Sequence, residues 1–369
     1  MTRSILALVG LCACQAETKS VPYPTDPSDS ATPASAAPDG DADTDADADT
    51  DADADTDADT DADADTDTGA DTGEPVPPPS NLVRFVALGD GGEGNEAQYA
   101  VAAAMTSVCD AKEDANGPGC SFALYLGDNF YDDGVDSVDD EQFQTKFELP
   151  YADIDFPFMV VLGNHDYGLT SLEPWRTNAQ VEYTDDSTKW TLPDHYYEFI
   201  EEHVQFLGLD TNAIMVESIL GDSEQDTWIE DAIAFETGVT WRIAYGHHPY
   251  ISNGAHGNAG NYEGVSWLPV VNGESVISFM ESHVCGKVDV YLCGHDHNRQ
   301  WLGNRCGTEF IVTGSAAKTT DLEGRDGNAT LFEDDSTEGF LWVEIRDNTL
   351  TGEFYDREGT LQFSHTITK

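Results

Sequence analysis

Residues 124–131, Leu-Tyr-Leu-Gly-Asp-Asn-Phe-Tyr, decide the fold, because an apolar run with strand propensity ends there at a glycine. A carboxylate, an amide and a phenol follow the glycine almost at once. In open α/β sheets, binding and catalytic side chains collect at the carboxyl ends of the strands. The stretch therefore predicts a strand that delivers oxygen ligands into a loop, with Asp128 as the carboxylate that the other ligands surround.

The same pattern recurs at four other places in the chain. In each, an apolar run is followed by glycine and then by Asp, Asn or His, at residues 85–90, 159–166, 242–249 and 290–297. Glycine lets the backbone turn and approach a bound ion closely. The candidate metal ligands from these segments are Asp90, Asp128, Tyr131, Asn164, His247, His295 and His297. One such motif alone is a weak signal, but together they provide enough oxygen and imidazole ligands for two metal ions sharing one carboxylate.

The charge of the chain limits its partners. The formal net charge is -55, from 16 Lys plus Arg against 71 Asp plus Glu. Nucleic acids and anionic membrane surfaces reward cationic patches, so neither is expected as the main partner. A phosphoester substrate would need positive charge from another source, and bound metal ions are the obvious one.

The first 80 residues are not expected to belong to the folded domain. Residues 1–14 have the short basic start and apolar stretch of an export signal, which is too short to span a bilayer. Residues 11–14, Leu-Cys-Ala-Cys, resemble a bacterial lipobox, so we expect Cys14 to be lipidated; plain secretion is the alternative. Residues 15–80 are rich in Asp, Ala, Thr and Pro, and we expect a disordered spacer rather than a loose Ca²⁺ or Mg²⁺ binder. Residues 81–369 form the folded domain.

The cysteines also indicate export. Cys109 and Cys120 flank one short glycine-containing loop, and Cys285 and Cys306 flank another. Both pairs are expected to form disulfides in an oxidising compartment. Cys293 lies within an apolar run and is expected to be a small buried hydrophobic residue.

Strand patterns alternate with helical patterns up to about residue 310. Residues 95–111 and 223–235 are the clearest helices; in the second, Asp222 or Ser223 is expected to cap, and residues 228, 229, 232 and 233 to form one buried face. After that point, residues 310–313, 339–345, 349–355 and 360–367 predict strands joined by tight turns. The predicted class is α/β, with a mixed β-sandwich flanked by helices in one domain.

The candidate ligands and their motifs resemble those of the calcineurin-like metallophosphoesterases over residues 83–315. In the general pattern of that superfamily a histidine stands two residues after the first Asp, whereas Asp90 is followed by two glycines. Tyr131 takes the place of the missing ligand, which is typical of the purple acid phosphatases. With Gly-Asn-His-Asp at residues 163–166 and Gly-His-Asp-His at residues 294–297, the set is most similar to the small, tartrate-resistant type.

This resemblance implies a binuclear metal centre in which Asp128 bridges the two ions. A ferric ion would be bound by Asp90, Tyr131 and His297. A divalent ion (Fe, Zn or Mn) would be bound by Asn164, His247 and His295. Phenolate and carboxylate are hard anionic ligands that suit a trivalent ion, whereas imidazole and amide suit a borderline divalent ion.

The implied activity is that of an exported acid phosphatase, in which a metal-bound hydroxide attacks a phosphomonoester. His165 is the first candidate for the acid that protonates the leaving alcohol, and a hydrogen-bond donor beside the ligands is its alternative role. His256 is the second candidate, with a place in a surface loop as the alternative. Asp166 is expected to orient His165 or a ligand, and we interpret His248 and His195 as structural or surface residues.

Two other functions stay open at this point. The same site could hydrolyse phosphodiesters or nucleotides, because one fold hosts many activities. Alternatively, the chain could be an acidic surface-anchored binding protein with a vestigial site, although its ligand set is complete. We expect a monomer.

Overall fold

The computed structural model describes residues 81–168, 170–171, 173–220, 224–324 and 327–369. The predictions for the export signal, Cys14 and the spacer concern residues outside these ranges and stay predictions. Among the helices of the described ranges, none has the length and apolar character needed to cross a bilayer.

Strands dominate the described chain. In order, they are β1 (Leu82–Leu88), β2 (Phe122–Leu126), β3 (Phe158–Val161), β4 (Trp190–Thr191), β5 (Tyr197–Glu201), β6 (Val204–Gly208), β7 (Trp241–Tyr245), β8 (Val290–Cys293), β9 (Arg299–Arg305), β10 (Thr308–Thr313), β11 (Phe332–Asp334), β12 (Gly339–Arg346), β13 (Thr349–Asp356) and β14 (Leu361–Thr368). The α-helices are α1 (Glu96–Lys112), α2 (Pro174–Glu182), α3 (Thr211–Leu220), α4 (Gln225–Phe235), α5 (Pro269–Asn272) and α6 (Glu274–Phe279). Short 3₁₀ and π turns connect several of them.

The strands form two seven-stranded mixed sheets. The first has the order β14-β13-β12-β1-β2-β3-β4, in which β1 to β4 are parallel and β12 to β14 are an antiparallel meander. The second has the order β11-β9-β10-β8-β7-β6-β5, with β6, β7, β8 and β10 parallel. The meander is the one predicted from residues 339–367.

The two sheets pack against each other through aromatic side chains. The ring of Phe206 lies 5.4 Å from that of Phe85 and 5.2 Å from that of Phe122, both edge to face. Strands β1 and β2 are apolar along almost their whole length because the opposite face of their sheet is also covered, by α1. The predicted β-sandwich flanked by helices is therefore confirmed.

Both predicted helices are present. Helix α1 begins after Asn95, whose side-chain oxygen accepts a 2.9 Å hydrogen bond from the backbone N–H of Gln98. Helix α4 buries Ile229 and Ala232, and the partly buried Trp228 and Ile233 pack beside them. The predicted caps of α4, residues 222 and 223, lie outside the described residues.

The predicted disulfides are both formed, Cys109 with Cys120 and Cys285 with Cys306. The first ties the end of α1 to the start of β2. Each closes a short loop, and a disulfide of that kind stabilises a fold by about 2–4 kcal/mol. Cys293 is 2 % exposed and forms no disulfide with any described residue, as predicted.

The carboxyl ends of the parallel strands of both sheets meet at one edge of the sandwich. The backbone N–H of Gly89, after β1, donates to the carbonyl of Thr313 at the end of β10, over 2.8 Å. Asp90 N–H donates to Gly127 O within the first sheet, over 3.0 Å. These two hydrogen bonds hold the ends of β1, β2 and β10 together.

Trp190 supports the loop side of the first sheet, because its ring packs 4.9 Å from Phe147 and its indole N–H donates to the carbonyl of Gln180 over 2.8 Å. The side chain is 1 % exposed, so Trp190→Ala should lower the free energy of unfolding by about 3–5 kcal/mol. Urea denaturation measures this. Trp267→Ala is the matched control, because Trp267 is 72 % exposed and its loss should change stability by no more than ~0.5 kcal/mol. Equal midpoints for the two variants would contradict the packing described.

Candidate metal centre

Three candidate ligands leave their strands in the left-handed backbone conformation. Asp90 has φ 61°, Asp128 φ 53° and His295 φ 68°. Asp and His are among the non-glycine side chains that adopt this conformation more often than others. Such residues still cost on the order of 1–3 kcal/mol each, and they cluster at functional sites. The sharp turn after each strand points these side chains at one another.

Two glycines make the close approach of these turns feasible. A Cβ atom on Gly294 would lie 2.4 Å from Oδ2 of Asp90, and one on Gly92 would lie 2.3 Å from the carbonyl carbon of Asn129. Gly92 is hydrogen-bonded in both directions to the turn after β2, because its N–H donates to Asp128 O and its carbonyl accepts from Tyr131 N–H. The position two residues after Asp90 therefore has no room for a side chain.

The phenol of Tyr131 lies at the centre of the first group of ligands. Its hydroxyl oxygen lies 2.9 Å from Oδ1 of Asp90 and 2.8 Å from Oδ2 of Asp128, so its single proton is shared between two carboxylates, and it lies 3.2 Å from Nε2 of His297. Burial raises the pKa of Tyr131 well above its usual value, and the charges of Asp128 and Asp90 raise it further. A phenolate at this position therefore requires a compensating cation.

His247 lies at the centre of the second group. Its Nε2 is 3.1 Å from Oδ1 of Asn164, 3.1 Å from Nδ1 of His295 and 3.4 Å from Oδ2 of Asp128. Its other nitrogen faces the carbonyl of Leu126 at 2.9 Å, which fixes the ring. Burial lowers the pKa of His247, but Asp128, Asp90 and the carbonyl of Leu126 together outweigh burial and raise it to about 9.

The two groups share Asp128. Ligand atoms of Asp90, Asp128 and His247 all lie within 4.8 Å of one another, and all three side chains are buried. Burial raises the pKa of Asp128, but the nearby His247 and His165 outweigh it, and the pKa is lowered well below its usual value. Two buried carboxylates, a phenol, an amide oxygen and three imidazoles converge here, and this donor set fits two cations bridged by one carboxylate.

The structure thus brings together all seven ligands proposed from the sequence. The two candidate acids lie on either side of them. His165 is half-buried, its ring is 4.6 Å from that of Tyr131, and its Nδ1 is 2.6 Å from the carbonyl of Asp132. His256 is 6 % exposed and its ring lies 4.0 Å from that of His295, so it is not a surface residue.

Asp166 braces the turns that carry the ligands. Its carboxylate accepts hydrogen bonds from the backbone N–H of Gly163 over 2.7 Å, from that of Asn129 over 3.0 Å, and from the side chain of Gln180 over 3.1 Å. Burial and the charge of Asp128 raise its pKa to about 7, against these donors. It orients ligands through the backbone on either side of the site.

His248 and His195 are the two histidines that we interpreted from the sequence as structural or surface residues. His248 is buried beside the site, and its Nδ1 lies 2.9 Å from the hydroxyl of Thr211. His195 is partly exposed, with Nδ1 at 3.7 Å from the buried carboxylate of Asp210. These positions fit the structural and surface interpretation.

Several residues around the site were not identified from the sequence. Asp296 accepts from the backbone N–H of His256 over 2.8 Å, and Glu263 pairs with the ring of His256. Lys146 donates to the backbone carbonyl of Tyr131, and Lys318 lies over the Tyr131 ring. Asp296 lies within the Gly-His-Asp-His motif at residues 294–297, so the sequence could have identified it. The sequence around Glu263, Lys146 and Lys318 has no motif that indicates a role at the site.

Comparison with known proteins agrees with this geometry. Residues 83–299 match the calcineurin-like phosphoesterase family. Tartrate-resistant acid phosphatase type 5 of Homo sapiens is 27 % identical over 303 residues, which cover 76 % of this chain and 89 % of that protein. Relatives of this kind imply a binuclear metal centre.

Two solved structures share the fold at lower identity. GAP50, described as the anchor in the inner membrane complex of Plasmodium, is 22 % identical and aligns with a TM-score of 0.60 over 78 % of this chain and 89 % of its own. Purple acid phosphatase PPD1 from yellow lupin (Lupinus luteus) seeds is 19 % identical, with a TM-score of 0.57 over 78 % and 54 %. These two likenesses establish the fold alone.

Asp166→Ala should weaken metal binding although Asp166 is not itself a proposed ligand, because two backbone N–H groups lose the acceptor that holds the turns. Loss of such a supporting contact lowers metal affinity roughly 10–100-fold. Competition with a chelator for Zn²⁺ measures this. Asp194→Ala removes an exposed carboxylate and should leave the affinity unchanged. Equal Zn²⁺ affinity in the two variants would show that Asp166 plays no such part.

Proposed function

The chain belongs to the calcineurin-like phosphoesterases, and on that premise we propose that it is an exported acid phosphatase that hydrolyses phosphomonoesters. Its proposed set of metal ligands is most similar to that of the purple acid phosphatases. The substrate is a phosphoester, and nucleic acid is not a binding partner of this strongly acidic chain.

The observation that carries the proposal is the position of Tyr131. Its hydroxyl hydrogen-bonds both Asp90 and Asp128 and lies against His297. A buried phenol held between two carboxylates is poorly suited to binding a ligand by itself, whereas as a phenolate it completes the donor set for a trivalent cation. That choice of ligand separates the purple acid phosphatase pattern from the general pattern of the superfamily.

The proposed centre contains Fe(III) and a divalent ion (Fe, Zn or Mn). Asp90, Tyr131 and His297 would bind the ferric ion; Asn164, His247 and His295 would bind the divalent ion; and Asp128 would bind both. When bound, the ions neutralise phosphate charge and make hydroxide available at acidic pH. Asp166 and the carbonyl of Leu126 keep the ligands oriented.

His165 is the proposed general acid. A carbonyl oxygen only accepts, so the contact with Asp132 requires a proton on Nδ1 of His165. The ring can then act as an acid through Nε2 only as the imidazolium, with a second proton on Nε2 that passes to the leaving oxygen and leaves neutral imidazole behind. His256 is the second candidate, and its Nδ1 pairs with the carboxylate of Glu263. We assign it to substrate binding beside His295.

Export is part of the proposal. The two disulfides are of the kind that persist in oxidising compartments. Residues 1–14 would direct export, Cys14 would carry a lipid anchor, and residues 15–80 would separate a monomeric catalytic domain from the membrane.

The test is an assay of the purified full-length chain on p-nitrophenyl phosphate and bis-p-nitrophenyl phosphate, with metal analysis of the same sample. We expect faster turnover of the monoester, and we expect Asp128→Ala to lose both metals and the activity. Faster turnover of the diester would identify a phosphodiesterase. Inactivity with fewer than one transition metal ion per chain would indicate a binding protein with a vestigial site.

His165→Ala should retain its metals and lose turnover by roughly 10²–10⁴-fold, the usual effect of removing a general acid. His256→Ala, examined in parallel, should act mainly on KM. The values of kcat and KM, each corrected for metal content, measure the difference. Unchanged kcat in His165→Ala together with a large loss in His256→Ala would exchange the two roles.

A further inference from the structure

The loop after β10, residues 314–320, folds back over the ligands and is fixed on both sides of Lys318. The side-chain amide of Asn95 donates to the carbonyl of Ala317 over 2.9 Å. The backbone N–H of Thr320 donates to the carbonyl of His297 over 2.9 Å. Lys318 therefore projects from a backbone that is tied to the cap of α1 on one side and to a proposed metal ligand on the other.

The ammonium of Lys318 is held against the ring of Tyr131. Its Nζ lies 3.2 Å from the ring centroid and 2.7 Å from Oε1 of Glu93, and the side chain is 29 % exposed. A cation over an aromatic ring is attracted by the electrons of its face, more strongly when it is partly desolvated. The ion pair with Glu93 helps to keep the ammonium in this position.

Few cations are available in this chain, which has 16 Lys plus Arg against 71 Asp plus Glu. Carboxylates are abundant in this chain, yet Lys318 contacts the aromatic ring of a proposed iron ligand in addition to its ion pair with Glu93. A surface ion pair with Glu93 contributes little by itself, about 0–1 kcal/mol. The contact with the ring is therefore the feature that requires an explanation.

We propose that Lys318 is a positioning residue for the metal centre, whose positive charge on the face of Tyr131 stabilises the phenolate and tunes its bond to the ferric ion. This inference rests on the proposed function. A positive charge on the face of the phenolate ring would stabilise the electrons of the ring more than the orbitals of a bound iron that would receive them. Lys318 therefore raises the energy of the phenolate-to-iron charge-transfer transition.

The proposal fixes the direction in which the absorption band and the reduction potential should change. Without the charge, the absorption band moves to longer wavelength, and the phenolate becomes a stronger donor that makes the ferric ion harder to reduce. With Glu93 neutralised, the uncompensated ammonium acts more strongly, and the band moves to shorter wavelength. A purely structural role of Lys318 would move neither the band nor the reduction potential while the iron stays bound.

The experiment compares visible spectra and iron content of the oxidised full-length protein with those of Lys318→Met, Lys318→Arg and Glu93→Gln. Lys318→Met should shift the band to longer wavelength at unchanged iron content, and Lys318→Arg, which keeps the charge, should restore most of the wild-type position. Lys112→Met is the matched control, because Lys112 also lies over an aromatic ring (Trp342, 4.0 Å) and pairs with a carboxylate (Glu353, 2.5 Å). Its partners belong to β12 and β13, which carry none of the candidate ligands, so the band should not move.

An unmoved band in iron-loaded Lys318→Met overturns the inference. If that variant loses its iron, Glu93→Gln decides in its place, and an unmoved band there overturns the inference equally. A different failure identifies the proposed function as wrong: iron-loaded wild-type protein with no band, or a band that survives in Tyr131→Phe, removes the ferric phenolate itself.

Discussion

The constraint on which the structure depends is the burial of Asp90 and Asp128 side by side in a chain that is already strongly negative. Two buried carboxylates repel each other and lose their hydration, so each must be compensated locally. The hydroxyl of Tyr131 bonds to both, and His247 lies 3.4 Å from Asp128. The left-handed turns after the strands hold these groups in place against that repulsion. Bound cations would stabilise this site by neutralising the two carboxylates. The chemistry of a phosphoesterase requires such cations as well.

Much of the molecule could be predicted because the signals are local. An apolar run ending in glycine and a polar residue identifies the end of a parallel strand, and five such signals placed all seven proposed ligands at one edge. The helical pattern of residues 95–111 predicted α1. The short loops between cysteines predicted both disulfides. Turn residues at positions 347–348 and 357–359 predicted the meander of β12 to β14.

The remaining features are set by contacts between distant parts of the chain. The short edge strands β4 and β11 have too few residues to give a periodic pattern. Asp166 stands next to His165 in sequence, yet its partners are the backbone of Asn129 and the side chain of Gln180. Lys318 reaches Tyr131 because its loop is hydrogen-bonded to two distant residues. Ala317 accepts from the side chain of Asn95, and Thr320 donates to the carbonyl of His297. Likewise, the fold is shared with GAP50 and does not by itself identify an activity, so the proposed activity depends on the candidate ligand set.

The crowding at Gly92 has a historical consequence. Since that position touches the main chain of Asn129, a histidine could enter there only if the whole turn moved, and the phenol three residues after Asp128 already supplies the corresponding donor. Exchanging one type of ligand for the other is therefore not a single-codon event. Converting one arrangement into the other would require the turns after β1 and β2 to change together, because Gly92 is packed against the carbonyl of Asn129 and hydrogen-bonded to the backbone of Tyr131.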